Sequence, residues 1–252
     1  MSTGEYILET RGLTKEFKGF VAVKDVDLKV RRGTIHALIG PNGAGKTTCF
    51  NLLTKFLEPT SGSILYNGVD ITRERPAGIA RRGVIRSFQI SAVFPHLTVL
   101  NNVRIALQRS RGYSFHFWRS ERLLDELNYR AMDLLRSVDL AGFAGTETVE
   151  LPYGRKRALE IATTLAMDPE LMLLDEPTAG MGHEDVDRVT NLIKAVSKGR
   201  TVLMVEHNMS VVSGISDRIT VLQRGAILAE GPYAEVSRNP LVMEAYMGTE
   251  HA

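Results

Sequence analysis

At 252 residues, with 44% apolar and 24% charged side chains, the chain has the make-up of an ordinary globular protein, neither disordered nor fibrous. Its 31 Lys+Arg stand against 29 Asp+Glu, and the resulting +2 is too small an excess to argue for a nucleic-acid partner. No run approaches the roughly 18 apolar residues of a membrane span, the amino terminus MSTGEYILETRG lacks a signal-peptide pattern, and the single cysteine, Cys49, has no internal disulfide partner. The expectation is a cytosolic chain folded as one large α/β domain with a small helical addition.

The first 40 residues read as β-type runs between turns: YILETRGLTKEF, VAVKDVDLKV and TIHALIG. The middle run alternates Val21, Val23, Val26, Leu28 and Val30 with polar residues, which predicts strands with one buried face. From Thr47 the pattern turns helical through Phe50, Leu53 and Leu57, and Pro59-Thr60-Ser61-Gly62 is read as the stop. SILYNGVDI is a hairpin around Asn67-Gly68.

Residues 91–140 differ in character. LTVLNNVRIALQRS and ERLLDELNYRAMDLLRSV are helical, the second with an apolar stripe of Leu123, Leu127, Leu134, Leu135 and Val138, and RGYSFHFWRS interrupts them. Beyond residue 150 helix and strand alternate: GRKRALEIATTLAM, ELMLLDE, HEDVDRVTNLIKAVSK, TVLMVEH and NMSVVSGIS. RITVLQRGAILAEG turns at Arg224-Gly225, and EVSRNPLVMEAYMG reads as a short closing helix. This rhythm predicts a largely parallel sheet covered by helices, with no internal repeat or low-complexity linker.

Two stretches carry the chemistry. In GPNGAGKTT, the residues Gly40, Pro41, Asn42, Gly43, Ala44, Gly45, Lys46, Thr47 and Thr48 match the phosphate-loop pattern, with a strand before it and a helix after it. Glycines let backbone N–H groups turn around an anion, Lys46 reaches the β- and γ-phosphates of a nucleoside triphosphate, and Thr47 offers a hydroxyl to Mg2+. LMLLDEP places Asp175 and Glu176 at the carboxyl end of a buried strand, one suited to organise Mg2+ and the other to act as general base. His207 in TVLMVEHN and Gln89 in SFQI are compatible with the same site. Alone they carry no case: a histidine at a strand end is more often a capping or surface residue.

The ordered set of GPNGAGKTT, Gln89, LPYGRKRALEIA, LLDEPTAG and VEHN resembles the ATP-binding subunits of ABC transporters over nearly the whole chain. The resemblance implies a P-loop NTPase core of the ABC-ATPase type, with an antiparallel β subdomain and an inserted helical subdomain. Residues 1–252 would form a single nucleotide-binding domain, with about 90–165 as the helical part carrying the signature-like loop. It also implies ATP and Mg2+ as ligands, with Glu176, His207, Gln89 and Lys46 catalytic, and Thr47, Gln89 and Asp175 at the metal. Phe17, which by itself reads as a core or edge aromatic, becomes the ring that stacks on adenine.

In that family two ATP-binding subunits face each other, and Leu151, Pro152, Tyr153, Gly154 and Arg155 would complete the partner's site. Three of these depart from the usual LSGGQ: Pro152 replaces serine, Tyr153 a glycine and Arg155 the glutamine, so one direct phosphate contact is lost. Gly182 likewise stands where the family has aspartate or asparagine. The helix behind the loop, read as starting near Arg155, still directs its positive end at phosphate.

LPYGRKRALEIA, EPTAGM and NPLVMEAYMG are most similar to the subunits serving branched-chain amino acid uptake, with urea or short-amide importers close behind. Implied partners are a second ATP-binding subunit, transmembrane permease subunits contacted around Gln89 to Leu107, and indirectly a substrate-binding protein. The implied location is the cytoplasmic face of the membrane. Two other readings stay open: a lipid or polysaccharide exporter ATPase, and a soluble ABC-type module acting on nucleic acid or ribosomes. The neutral charge balance and the lack of a long heptad run count against the latter.

Overall fold

The computed structural model describes residues 4–87, 93–110 and 121–247, with side chains described for 4–87, 93–108 and 127–246. In chain order the elements are β1 (Tyr6–Phe17), β2 (Phe20–Val26), β3 (Lys29–Arg31), β4 (Ile35–Ile39), α1 (Lys46–Leu53), β5 (Ser61–Tyr66), β6 (Val69–Asp70), α2 (Pro76–Arg81) and β7 (Val84–Ser87). There follow α3 (Val99–Ser110), α4 (Glu121–Ser137), α5 (Tyr153–Leu165), β8 (Leu171–Asp175), α6 (His183–Val196), β9 (Thr201–Val205) and α7 (Met209–Ile215). The chain closes with β10 (Arg218–Gln223), β11 (Ala226–Gly231), α8 (Tyr233–Val236) and α9 (Pro240–Met247).

Strands β4, β8 and β9 are buried at every position, as their unbroken apolar runs require of strands covered on both faces. They sit inside a six-stranded sheet ordered β11-β10-β4-β9-β8-β7, parallel throughout except for the β10–β11 hairpin. Because successive side chains point to opposite faces, each strand feeds two cores. Met172, Leu174, Val202 and Met204 join an apolar cluster with α3 to α7, whereas Leu171, Leu173, Leu203 and Val205 pack toward α1 and a second, antiparallel sheet. That second sheet runs β2-β1-β5-β6, with β3 also beside β1.

The expected mixed architecture is therefore present, and the parallel strands present their carboxyl ends on one edge. The stripe of α4 packs as anticipated at Leu127, Leu135 and Val138, with Leu134 half-buried. The side chain of Leu123 and the stretch RGYSFHFWRS lie outside the described residues.

Several local expectations need correction. VAVKDVDLKV spans β2 and β3, and the left-handed backbone of Asp25 (φ 49°), inside β2, shifts the expected alternation. Val23 and Val26 are both buried three residues apart, and Val21 is 38% exposed. The helix after the phosphate loop ends at Leu53, well before Pro59: Thr54 caps it and Lys55 turns left-handed (φ 61°). Leu57 packs against the core from the following loop. The closing helix is two short ones, since Pro240 cannot continue a helix and instead starts α9. α2 and the edge strand β7 have no counterpart among the elements expected from sequence.

Candidate nucleotide site

Ile39 ends β4, and the loop from Gly40 to Gly45 turns the chain into α1, whose first residue is Lys46. Two glycines are demanded by space as well as by backbone angle. A Cβ on Gly45 (φ 98°) would lie 2.4 Å from the Ala22 carbonyl oxygen, and one on Gly40 would lie 2.2 Å from that of Leu222. The loop is thus clamped between β2 and the end of β10. Cys49 is fully buried in α1, and burial pushes its thiol up to about 12, so it packs and does not react.

A cavity of about 310 Å³ opens over this loop, lined by Phe20, Ala22, Asn42 to Thr48 and Glu176. The ammonium of Lys46 folds back to donate to the carbonyls of Gly40 (2.6 Å) and Pro41 (3.0 Å). Burial lowers its proton affinity, with Glu176 opposing the shift.

Asp175 ends β8 with no exposure, and Glu176 follows in a left-handed conformation (φ 45°) that a non-glycine residue adopts only when its surroundings impose it. The imposed contact is a hydrogen bond from the Glu176 N–H to the Val205 carbonyl, 2.9 Å away on β9. Glu176 is thereby turned into the cavity wall while Asp175 stays below it. His207, just past β9, places Nδ1 4.0 Å from Glu176 Oε1. Lys46, Thr47, Glu176 and His207 meet at one edge of the sheet, and Gln89 lies outside the described residues.

The donor set suits a magnesium ion held mainly by phosphates. Among the described residues no group of three or more His, Cys, Asp or Glu forms a metal cage. Asp175 Oδ1 is a buried carboxylate oxygen without a hydrogen-bond partner, the kind of orphan acceptor that a metal ion or its water satisfies. Thr47, in the cavity wall, supplies a hydroxyl.

The signature-like loop lies elsewhere, for residues 151–155 are absent from the cavity wall. Leu151 is buried, Pro152 is the N-cap of α5, and the helix starts at Tyr153, two residues earlier than expected. Tyr153 is 54% exposed, and the Arg155 guanidinium stacks 4.0 Å from the Phe143 ring centre. Phe17 is half-exposed at the end of β1 with Lys15 Nζ 5.1 Å from its ring, but the aromatic in the cavity wall is its cross-strand partner Phe20.

Three further residues organise the site. Glu206, fully buried, accepts from the Thr178 N–H (3.0 Å) and hydroxyl and from the N–H groups of His207 (2.9 Å) and Asn208 (3.1 Å), so one carboxylate holds the segments after β8 and β9 together. Arg157 on α5 donates to the carbonyls of Asp175 (2.9 Å) and Pro177 (3.2 Å), joining the signature helix to the acidic strand end. Arg86 on β7 pairs with Asp175. Charged residues inside short apolar runs, as in VIRS and LMVEH, are the only trace of these roles in the sequence.

Residues 23–179 match the family described as ABC transporter, and residues 226–252 match the one described as branched-chain amino acid ATP-binding cassette transporter. The chain is 40% identical over 252 residues to the high-affinity branched-chain amino acid transport ATP-binding protein BraF of Pseudomonas aeruginosa, covering 96% of this chain and 98% of the relative. It is 38% identical over 249 residues to LivG of Salmonella typhimurium, a protein of the same description, again over 96% and 98%. Among solved structures, the ADP conformation of an ATP-binding cassette of an ABC transporter superposes with a TM-score of 0.85 at 29% identity, over 97% of this chain and all of that one.

Proposed function

Since the chain belongs to the ABC transporter family, we propose that it is the ATP-hydrolysing subunit of an importer and that the imported solutes are branched-chain amino acids. The observation that carries the chemistry is the cavity over Gly40–Thr48 with Glu176 in its wall and His207 4.0 Å from that carboxylate. The cargo reading rests on the match of residues 226–252 and on what the similar proteins are said to transport.

ATP enters with its phosphates over the loop, where backbone N–H groups and the amino-terminal end of α1 attract negative charge. Lys46 leaves the carbonyls of Gly40 and Pro41 for the β- and γ-phosphates. Phe17 stacks on the base, with Phe20 closing the same side. Thr47 and Asp175 would hold Mg2+, with Gln89 as a further ligand; when bound, the ion would neutralise charge that builds up on the transferred phosphoryl group. Glu176 takes the proton of the attacking water, and His207, steadied through Glu206, orients it.

The loop Leu151–Arg155 completes the site of a second ATP-binding subunit, which accounts for its distance from this chain's own cavity. Its missing serine hydroxyl leaves the amino-terminal end of α5 as the main phosphate attractor there. Closure of the two subunits is passed through the helical part, about residues 90–165, to permease subunits served by a substrate-binding protein. No described helix is long and apolar enough to cross a membrane. In this reading, attachment to the cytoplasmic face runs through the permease.

The test is the solution mass of Glu176→Gln with and without Mg·ATP. A monomer that becomes a dimer only with nucleotide supports the ATP sandwich. A chain that binds no ATP overturns the reading, and one that binds ATP but stays monomeric moves closure to a heteromeric partner. Uptake of leucine against urea by the reconstituted transporter decides the cargo.

A further inference from the structure

Arg86 reaches the site from β7, a short edge strand outside the phosphate loop and the acidic motif. Its guanidinium is shared. One nitrogen pairs with Asp175 Oδ2, and another donates to Asn51 Oδ1 on α1 at 2.6 Å. The same group lies 5.8 Å from the ring centre of Phe50 and 5.9 Å from that of Phe56, so the fork is held in place by packing as well as by hydrogen bonds. The Arg86 side chain is 10% exposed and that of Asp175 not at all.

This arrangement divides the two oxygens of Asp175. Oδ2 is committed to the guanidinium, and Oδ1 is left as a buried acceptor with no partner. A carboxylate at the end of a strand can rotate about its side-chain bonds, and a planar two-pronged donor anchored to α1 removes that freedom. The helix that opens with the phosphate loop and the strand end that carries the metal carboxylate are thereby set against each other through one side chain.

We propose that Arg86 is a positioning residue for magnesium: by anchoring Asp175 Oδ2 to α1, it presents Oδ1 to the ion and sets the metal affinity of the nucleotide site. The inference rests on the assignment of Asp175 to magnesium made above. Lysine is not an equivalent substitute, because a point charge can meet Asp175 or Asn51 but does not reproduce the fork between them.

The experiment titrates Mg2+ into the protein with a fluorescent ATP analogue and reads binding alone, in wild type, Arg86→Met, Arg86→Lys, Asn51→Ala and Asp175→Asn. The expected result is a rise of about tenfold in half-saturating Mg2+ for Arg86→Met, with nucleotide affinity in EDTA within about twofold of wild type. Asn51→Ala shifts in the same direction by less. Should Arg86→Met fail to fold, Arg86→Lys decides, with a rise of about threefold or more expected. An unchanged half-saturating Mg2+ in the folded Arg86 variants, while Asp175→Asn loses metal dependence, overturns the proposal and leaves the magnesium assignment standing. Unchanged metal dependence in Asp175→Asn overturns that assignment, and with it the proposal.

Discussion

Gly154 on α5 stands so close to Asp185 on α6 that a Cβ on the glycine would lie 2.5 Å from the carboxylate carbon. Asp185 in turn accepts from Arg188 at 3.0 Å, so its side chain is not idle. The one glycine of the usual signature pattern that this loop keeps is therefore a contact residue between the signature helix and the helix after the acidic strand.

That contact predicts a non-additive pair. Gly154→Ala is expected to destabilise by about 1–3 kcal/mol through overpacking. Asp185→Ala alone, losing an acid in the first turn of α6 and an exposed ion pair, costs under about 1 kcal/mol. The double variant recovers about 1 kcal/mol or more relative to the sum, measured by urea unfolding. Simple additivity of the two singles would show that the carboxylate moves aside freely.

Glu206 is the acceptor for donors from two segments at once, and an amide in its place turns one of those acceptors into a donor facing a donor. Glu206→Gln is expected to lose about 1–3 kcal/mol of stability. It should also slow hydrolysis by weakening the hold on His207, with nucleotide binding retained. Loss of ATP affinity as large as the loss of rate would place Glu206 in binding and not in positioning His207.

Gly182 is the N-cap of α6 with extended backbone (φ −71°, ψ 162°), makes no side-chain cap, and has open space where a Cβ would stand. Restoring the family's aspartate is therefore sterically free and supplies a cap. Gly182→Asp should gain a few tenths of a kcal/mol, a rise of about 1 °C in the unfolding midpoint, by differential scanning fluorimetry. A lower midpoint would mean that the loop before α6 needs the glycine for another reason.

His36, fully buried on β4 with Nε2 2.8 Å from the Thr220 hydroxyl, has its proton affinity lowered to about 4 by burial first and by Arg218 second. The unfolded chain binds this proton near pH 6.5 and the native chain does not, so stability is kept above that pH and lost as pH falls toward 4. From about pH 7.5 to about pH 5 the loss attributable to His36 is on the order of 2 kcal/mol. Urea midpoints of wild type and His36→Gln at the two pH values check it, with a flatter dependence expected in the variant.

Much of the architecture was legible because periodicity reports burial directly. LMLLD and TVLMV have no polar face, so they had to be central strands, and Gly40 and Gly45 of GPNGAGKTT stand where a Cβ would lie 2.2 and 2.4 Å from a backbone carbonyl oxygen. The residues of the phosphate loop are contiguous in the chain, as are the two acids at the end of β8, and contiguous chemistry survives in a linear pattern. The shifted alternation in VAVKDVDLKV and the early end of α1 were not legible, because each depends on a single left-handed residue, Asp25 or Lys55, that carries no glycine signal.

The sequence by itself determined a P-loop ATPase core, the order of its main strands and helices, and where the glycine-rich loop and the paired acids stand along the chain, since these follow from local spacing and hydrophobic pattern. Only the tertiary structure decided that Phe20 lines the cavity where Phe17 was expected, that Glu206 binds the segments after β8 and β9, and that Arg86 holds Asp175 against α1. Those partners are separated by 28 residues for Glu206 and Thr178 and by 89 for Arg86 and Asp175. A buried charge must find its counterpart somewhere, but which one is set by the packing of distant strands and helices, and no spacing along the chain encodes it.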